Sequence, residues 1–130
     1  MIGLDTNIIV RYIVQGDPDQ CRKVNDLMEN RLSAREPGFI TLVALIEVIW
    51  VLESSYCQAK SVILKVLRSL LATRQLMIER ADIIHKVSSL FEAAHADFSD
   101  AVTYLLTQDS GCSDCFTFDK KARRMGIKSL

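Results

Sequence analysis

The sequence predicts an α/β fold: one domain built on a parallel β-sheet flanked by helices on both faces. Three observations point there. Short apolar runs alternate with longer segments of helical periodicity, which implies parallel strands joined by covering helices. The chain has 130 residues with no linker, internal repeat or low-complexity stretch, so residues 1–130 read as a single domain. Two acids, Asp5 and Asp119, directly follow expected strands, and ligands of parallel α/β sheets bind beyond the carboxyl ends of strands.

Residues 2–4 read as a short buried strand and 7–14 as a short helix. Asp17-Pro18 is a helix start, a capping side chain before a proline at the first helical position. That helix is expected to run to about Leu32, with Val24, Leu27 and Met28 inward. Residues 38–40 form a second strand candidate, and Thr41 caps a helix through about Leu52. Residues 58–71 are a helix whose stripe is Val62, Ile63, Val66, Leu67, Leu70 and Leu71. A strand over 75–78 precedes a helix over 81–94, with Ile84, Val87, Leu90 and Phe91 on one face. A helix over 99–108, a strand over 115–118, a helix over 120–125 and a last strand over 127–130 complete the order.

Apolar residues make up 49% of the chain, which excludes a disordered protein. No apolar run reaches the ~18 residues of a membrane span. The first five residues carry no basic segment or cleavage pattern, so the expected compartment is the cytoplasm. Sixteen basic and 16 acidic residues cancel, which argues against a protein that holds nucleic acid by bulk charge. The charge is uneven, however: Lys120, Lys121, Arg123, Arg124 and Lys128 have no acid among them. Two divalent ions on the proposed carboxylates would raise the net charge to about +4 and attract a polyanion. The basic residues Lys120, Lys121, Arg123 and Arg124 therefore read either as a phosphate-backbone contact or as a solvated helix face. The cysteines Cys21, Cys57, Cys112 and Cys115 are expected as reduced thiols.

The acids carry the chemistry. Glu47 has five apolar residues before it and five after, so its helix is expected to be buried on most faces. An unpaired carboxylate there would cost several kcal/mol, which a metal ion would remove. A surface-facing Glu, or a buried pair with Arg, is the plain alternative. Asp5, Asp119, and the pair Asp97 and Asp100 also suit helix N-termini as caps or dipole partners. Carboxylates without a His cluster select a hard cation, Mg²⁺ or Mn²⁺, as one or two ions. Such ions activate water and stabilise both oxygens of a phosphodiester displacement. His85 and His95 are isolated and read as surface or edge residues, so no Ser-His-Asp triad is evident.

At these positions the sequence resembles the PIN-domain family, and within it the VapC-type toxins. The first motif is Leu4-Asp5-Thr6-Asn7 with Ile8-Ile9-Val10-Arg11-Tyr12, and the second is Glu47 in Leu45-Ile46-Glu47-Val48-Ile49-Trp50-Val51-Leu52. Ala96-Asp97-Phe98-Ser99-Asp100-Ala101 resembles the third motif. Gly111-Cys112 followed by Thr117-Phe118-Asp119-Lys120-Lys121-Ala122 resembles the fourth. Four motifs in order, each with its acid, make the resemblance specific over nearly the whole chain. It implies a PIN fold, Mg²⁺- or Mn²⁺-dependent cleavage of RNA, homodimers, and a toxin–antitoxin setting with a small antitoxin that blocks the site. It maps Asp5, Glu47, Asp100 and Asp119 onto the acidic quartet and Asp97 onto an acid common in the subgroup. Thr6, Asn7 and Thr117 match supporting polar positions. Cys115 stands where an apolar strand residue is ordinary.

Rival readings remain distinct in their residues. A Mg²⁺-binding phosphoacceptor signalling domain would place its acids on strand ends and add a late Lys; labelling by acetyl phosphate would reveal it. Cys112-Ser113-Asp114-Cys115 has the spacing of a redox motif or half a zinc site. A catalytically silent PIN-fold binding module would keep the same acids.

Overall fold

The computed structural model describes residues 1–130. Its α/β class agrees with the sequence expectation: six helices accompany strands that all pair in parallel. The chain divides into two compact units, Met1–Glu79 and Arg80–Leu130. No helix is long and apolar enough to cross a membrane.

In the first unit, β1 (Ile2–Gly3), β2 (Gly38–Ile40) and β3 (Leu76–Ile78) form one sheet in sequence order. Parallel neighbours need long crossovers. The first crossover contains α1 (Thr6–Ile13) and α2 (Pro18–Asp26); the second contains α3 (Leu42–Ser54) and α4 (Lys60–Ala72). Gly38 sits where a Cβ would lie 2.6 Å from the Leu4 side chain and 2.9 Å from Leu32, so only glycine lets these residues close over the strand. Ile40, Leu45, Ile49, Leu52, Ile63 and Leu67 are wholly buried and form the centre of this unit's core.

The caps follow local chemistry. The Asp17 side chain accepts from the backbone N–H groups of Asp19 and Gln20 at 3.0 Å. Thr41 accepts from Ala44 N–H at 3.1 Å, and Glu79 accepts from Leu42 N–H at 2.8 Å. The start of α3 is thereby tied to the end of β3.

Three expectations are corrected here. The helix from Pro18 is not uniform to Leu32: α2 passes into a π-helical turn over Leu27–Arg31, where Leu32 N–H reaches back to the Leu27 carbonyl at 2.9 Å. The wider turn keeps Met28 buried. In α4, Leu64 is buried and Val62 is exposed, so the stripe is rotated from the one expected. The helix also starts at Lys60 rather than Gln58, with Ala59 at a cap position its side chain cannot serve. Third, α3 is not buried all round. Val43, Glu47 and Trp50 recur at helical spacing along its exposed side, with Val43 73% and Trp50 64% exposed.

In the second unit, α5 (Ala81–Ala93) packs on α6 (Phe98–Asp109), and β4 (Phe116–Thr117) pairs in parallel with β5 (Lys128–Ser129). Phe91 and Phe98 meet edge to face, centroids 5.7 Å apart. Arg80 occupies a left-handed conformation at φ 51° and opens α5. Its guanidinium binds Asp82 at 3.1 Å and Asp109 at 2.7 Å, joining the start of α5 to the end of α6. Those hydrogen bonds hold the Asp82 carboxyl below its ordinary pKa and raise that of Arg80. The segment expected as a helix over 120–125 is a single 3₁₀ turn, Ala122–Met125. Gly126, at φ 109°, ends that turn against the Tyr104 hydroxyl and turns the chain into β5. His85 is exposed on α5; His95 is exposed too, but lies past the helix, in the turn before α6.

Candidate active site

Three carboxylates converge in the second unit. Asp97 is the N-cap residue of α6, and Asp100 lies one turn on. Phe98, Ala101 and Val102 are buried and set the rotation of the helix, which leaves Asp97 exposed and Asp100 half-buried. Asp119 follows β4. Its backbone N–H donates to Thr117 Oγ1 at 2.9 Å, and its Oδ1 accepts from Lys121 N–H at 2.9 Å. Thr117 thus shapes the turn that presents the acid. One carboxylate oxygen from each of Asp97, Asp100 and Asp119 lies within 4.8 Å of the others.

Asp97 has the cap geometry but not the cap bond: its side chain accepts from no helix N–H. Asp17, at the equivalent place on α2, makes two such bonds. An aspartate that leaves a helix end unserved in order to face two other acids is not acting as a cap. The grouping has a cost. Partial burial pushes the Asp100 pKa up, and the nearby Asp97 and Asp119 charges push it further. A divalent cation reverses both effects. The donors are all carboxylate oxygens, which suit a hard ion such as Mg²⁺ or Mn²⁺.

The other two expected acids lie in the first unit. Asp5 is the N-cap residue of α1, again without a side-chain cap bond; its backbone carbonyl accepts from Ile8 and Ile9. Thr6 is 8% exposed and donates its hydroxyl to Glu47 Oε2 at 2.5 Å, linking α1 to α3. Glu47 itself is exposed, which corrects the expectation of a buried carboxylate needing a metal to offset its desolvation. The long apolar run misled because a 13-residue helix with an open side carries apolar residues there too, Val43 and Trp50. Asn7, expected to support the acids, lines a groove of about 190 Å³ with Ile8, Arg11, Gln20, Lys23 and Val24.

Around the 3₁₀ turn, Ala122 and Met125 are buried while Lys120, Lys121, Arg123 and Arg124 are exposed. None of these four makes an ion pair; Lys128 pairs with Asp114. Cys112 and Cys115 line one cavity of about 150 Å³ beside Tyr104 together with Asp114, which pairs with Lys128, and these three do not come together as a metal-binding group. All four cysteines are unpaired, and Cys21 accepts from Gly16 N–H. Sequence reasoning missed the exposure of Phe118, read as an ordinary strand residue; it is 80% exposed beside Asp119. It also missed the Arg80 clamp, because pairing across 29 residues leaves no local pattern.

No curated protein matches the chain. The family model described as the PIN domain matches residues 2–128, across both units. PIN domains are in general metal-dependent nucleases acting on RNA or DNA, and the clustered carboxylates of α6 and the β4 turn have the donor chemistry such an activity uses. With a match over nearly its whole length, the chain belongs to the PIN domain family.

Proposed function

We propose that this chain is a Mg²⁺- or Mn²⁺-dependent ribonuclease that hydrolyses RNA phosphodiester bonds, with residues 1–130 as one PIN domain. Asp5, Glu47, Asp100 and Asp119 are its catalytic acids and would hold one or two ions. The observation that carries this reading is the meeting of Asp97, Asp100 and Asp119 within 4.8 Å. When bound, the metal supplies an acidified water and offsets charge on the phosphate oxygens.

The protein's own groups prepare for that. Lys121 N–H donates to Asp119 Oδ1, which limits the carboxylate's orientation. The Thr6 hydroxyl limits the rotamers of Glu47. Asp97 orients what Asp100 holds, from beside it. Thr117 and Asn7 are assigned supporting roles, and Lys120, Lys121, Arg123 and Arg124 a hold on the RNA backbone. Replacing those four by Ala should weaken RNA binding and flatten its salt dependence; an unchanged salt slope in a folded variant would make them a solvated face.

Purified protein should cut susceptible RNA with Mg²⁺ or Mn²⁺, stop in EDTA, and leave a 5′-phosphate. Cutting that persists in EDTA, or a cyclic phosphate product, would defeat the mechanism. Metal binding without cutting of any RNA would favour a silent binding module.

The finer assignment, a cytoplasmic VapC-type toxin acting as a homodimer and blocked by a small antitoxin, is supported by the four sequence motifs. Expression should arrest growth, and the Asp5→Asn variant should not. Equal arrest by that variant, folded and inactive, would mean that cleavage is not the cause.

A further inference from the structure

Phe118 is the most exposed of the chain's large apolar side chains, at 80%. A single exposed apolar side chain is ordinary, and exposure alone assigns it no role; the backbone around the ring and the charges beside it are what set Phe118 apart. Phe118 directly follows β4, in a tied bend. The residues on either side of it are joined, Asp119 N–H to Thr117 Oγ1 at 2.9 Å, and the next turn is closed by Lys121 N–H on Asp119 Oδ1 at 2.9 Å. Thr117 is also held in the β4–β5 pair, where its carbonyl accepts from Leu130 N–H. The backbone therefore presents the ring outward by construction, next in sequence to one member of the carboxylate cluster.

What surrounds the ring narrows its partner. Lys120, Lys121, Arg123 and Arg124 follow within six residues, are exposed, and make no ion pair. An apolar protein surface would not need four unmatched cations beside it, and a duplex would hide its base faces from an aromatic ring. A single-stranded nucleic acid offers both complements, phosphates for the cations and an exposed π-face for the ring. Resting on the ribonuclease reading, we propose that Phe118 is a stacking platform for an unpaired RNA base beside the phosphate that is cut. Phe118 is here a binding and positioning residue: it touches substrate but takes no part in proton or phosphoryl transfer.

Binding is measured with the full chain in EDTA, by anisotropy of a fluorescein-labelled 12-nucleotide single-stranded RNA and of a blunt RNA duplex of equal length. Phe118→Ala should weaken single-strand binding by roughly 10- to 100-fold and leave the duplex unchanged. Phe118→Trp should retain wild-type affinity. Phe118→Leu, which keeps the apolar bulk without the π-face, should behave like Ala. A scan of single abasic nucleotides through the RNA should locate one position that weakens wild type but adds nothing to the loss in Phe118→Ala. Full affinity in Phe118→Leu, equal losses for strand and duplex, or additive losses at every abasic position would each overturn the proposal. A folded Phe118→Ala protein that binds single strands normally would do so as well, and its folding is read from an unchanged melting transition. The nuclease reading is judged separately, by cleavage in Mg²⁺ or Mn²⁺. A protein that stacks RNA in EDTA but cuts none with metal sinks that reading, whereas one that cuts with Phe118→Ala at wild-type affinity sinks this one.

Discussion

Glu47 and Asp100 are both acids on helices, yet they meet opposite surroundings. Glu47 stands on the open side of α3 and is met by a protein donor, the Thr6 hydroxyl. Asp100 is half-buried at the start of α6 and is met by two more carboxylates. In the first arrangement the carboxylate already has a donor within the chain. The second raises the pKa of its central acid and stays costly until a cation arrives. The contrast separates two jobs. On the proposed reading, the cluster of Asp97, Asp100 and Asp119 would bear most of the metal dependence, and the Thr6 hydroxyl would orient Glu47 as a further acid. Substitutions on each side should therefore fail differently.

The largest expected effect is at Asp100. Asp100→Asn removes the central donor, and cleavage should fall by about 10³-fold or more with the fold kept. Calorimetry should also find metal binding lost. Activity within tenfold of wild type would break the contrast, since the cluster would then not be where the ion acts. Asp97→Asn should be milder, about 10- to 100-fold down and recovered at high Mn²⁺, if Asp97 acts as proposed, from beside the donor. Parallel metal titrations decide the order. If Asp97→Asn is the dead enzyme and Asp100→Asn the impaired one, their roles are exchanged.

Thr6 tests the other side. Thr6→Val keeps the shape of a side chain that is 8% exposed but removes the donor to Glu47. Cleavage should fall by about tenfold with metal affinity nearly unchanged, since water can solvate the exposed Glu47 carboxylate in place of the hydroxyl. Thr6→Ser should restore the rate. A Thr6→Val enzyme that loses metal affinity as Asp100→Asn does would mean that the two sets are not separable in function.

The sequence carried the elements well because their signals are local. Alternation, stripes and caps located all five strands and the six helices to within a few residues. What it did not carry depends on contacts. The π-helical turn at Leu27–Arg31, in which Met28 is buried, has no signature in LMENR. The face of α3 was misread because apolar composition cannot distinguish a buried side from an open one that is also apolar. The acids themselves were legible as a set only through motif order: taken singly, Asp5 and Asp97 sit where a cap would sit. That neither makes the cap bond is a fact of side-chain direction, which no spacing encodes.

The smallest effect sharpens the comparison most directly, because it needs no substrate. In metal-free protein, burial, Asp97 and Asp119 together raise the Asp100 pKa above its ordinary value of 3.8. The folded state then holds the Asp100 proton more tightly than the unfolded state does. The sign follows: stability contributed by protonated Asp100 is present below pH ~3.8 and is lost as pH rises through the raised folded value, leaving a penalty at neutral pH. Asp100→Asn cannot ionise and escapes that penalty. In EDTA the variant should therefore melt above wild type at pH 7, and the gap should close as pH falls below about 4. Adding Mn²⁺ should raise the wild-type melting temperature and leave the variant where it was, reversing their order. Glu47→Gln, whose carboxylate already has its donor, should show no such gain in EDTA at neutral pH. Melting curves in which both variants rise together, or neither does, would remove the distinction between an acid satisfied by the chain and one that waits for an ion.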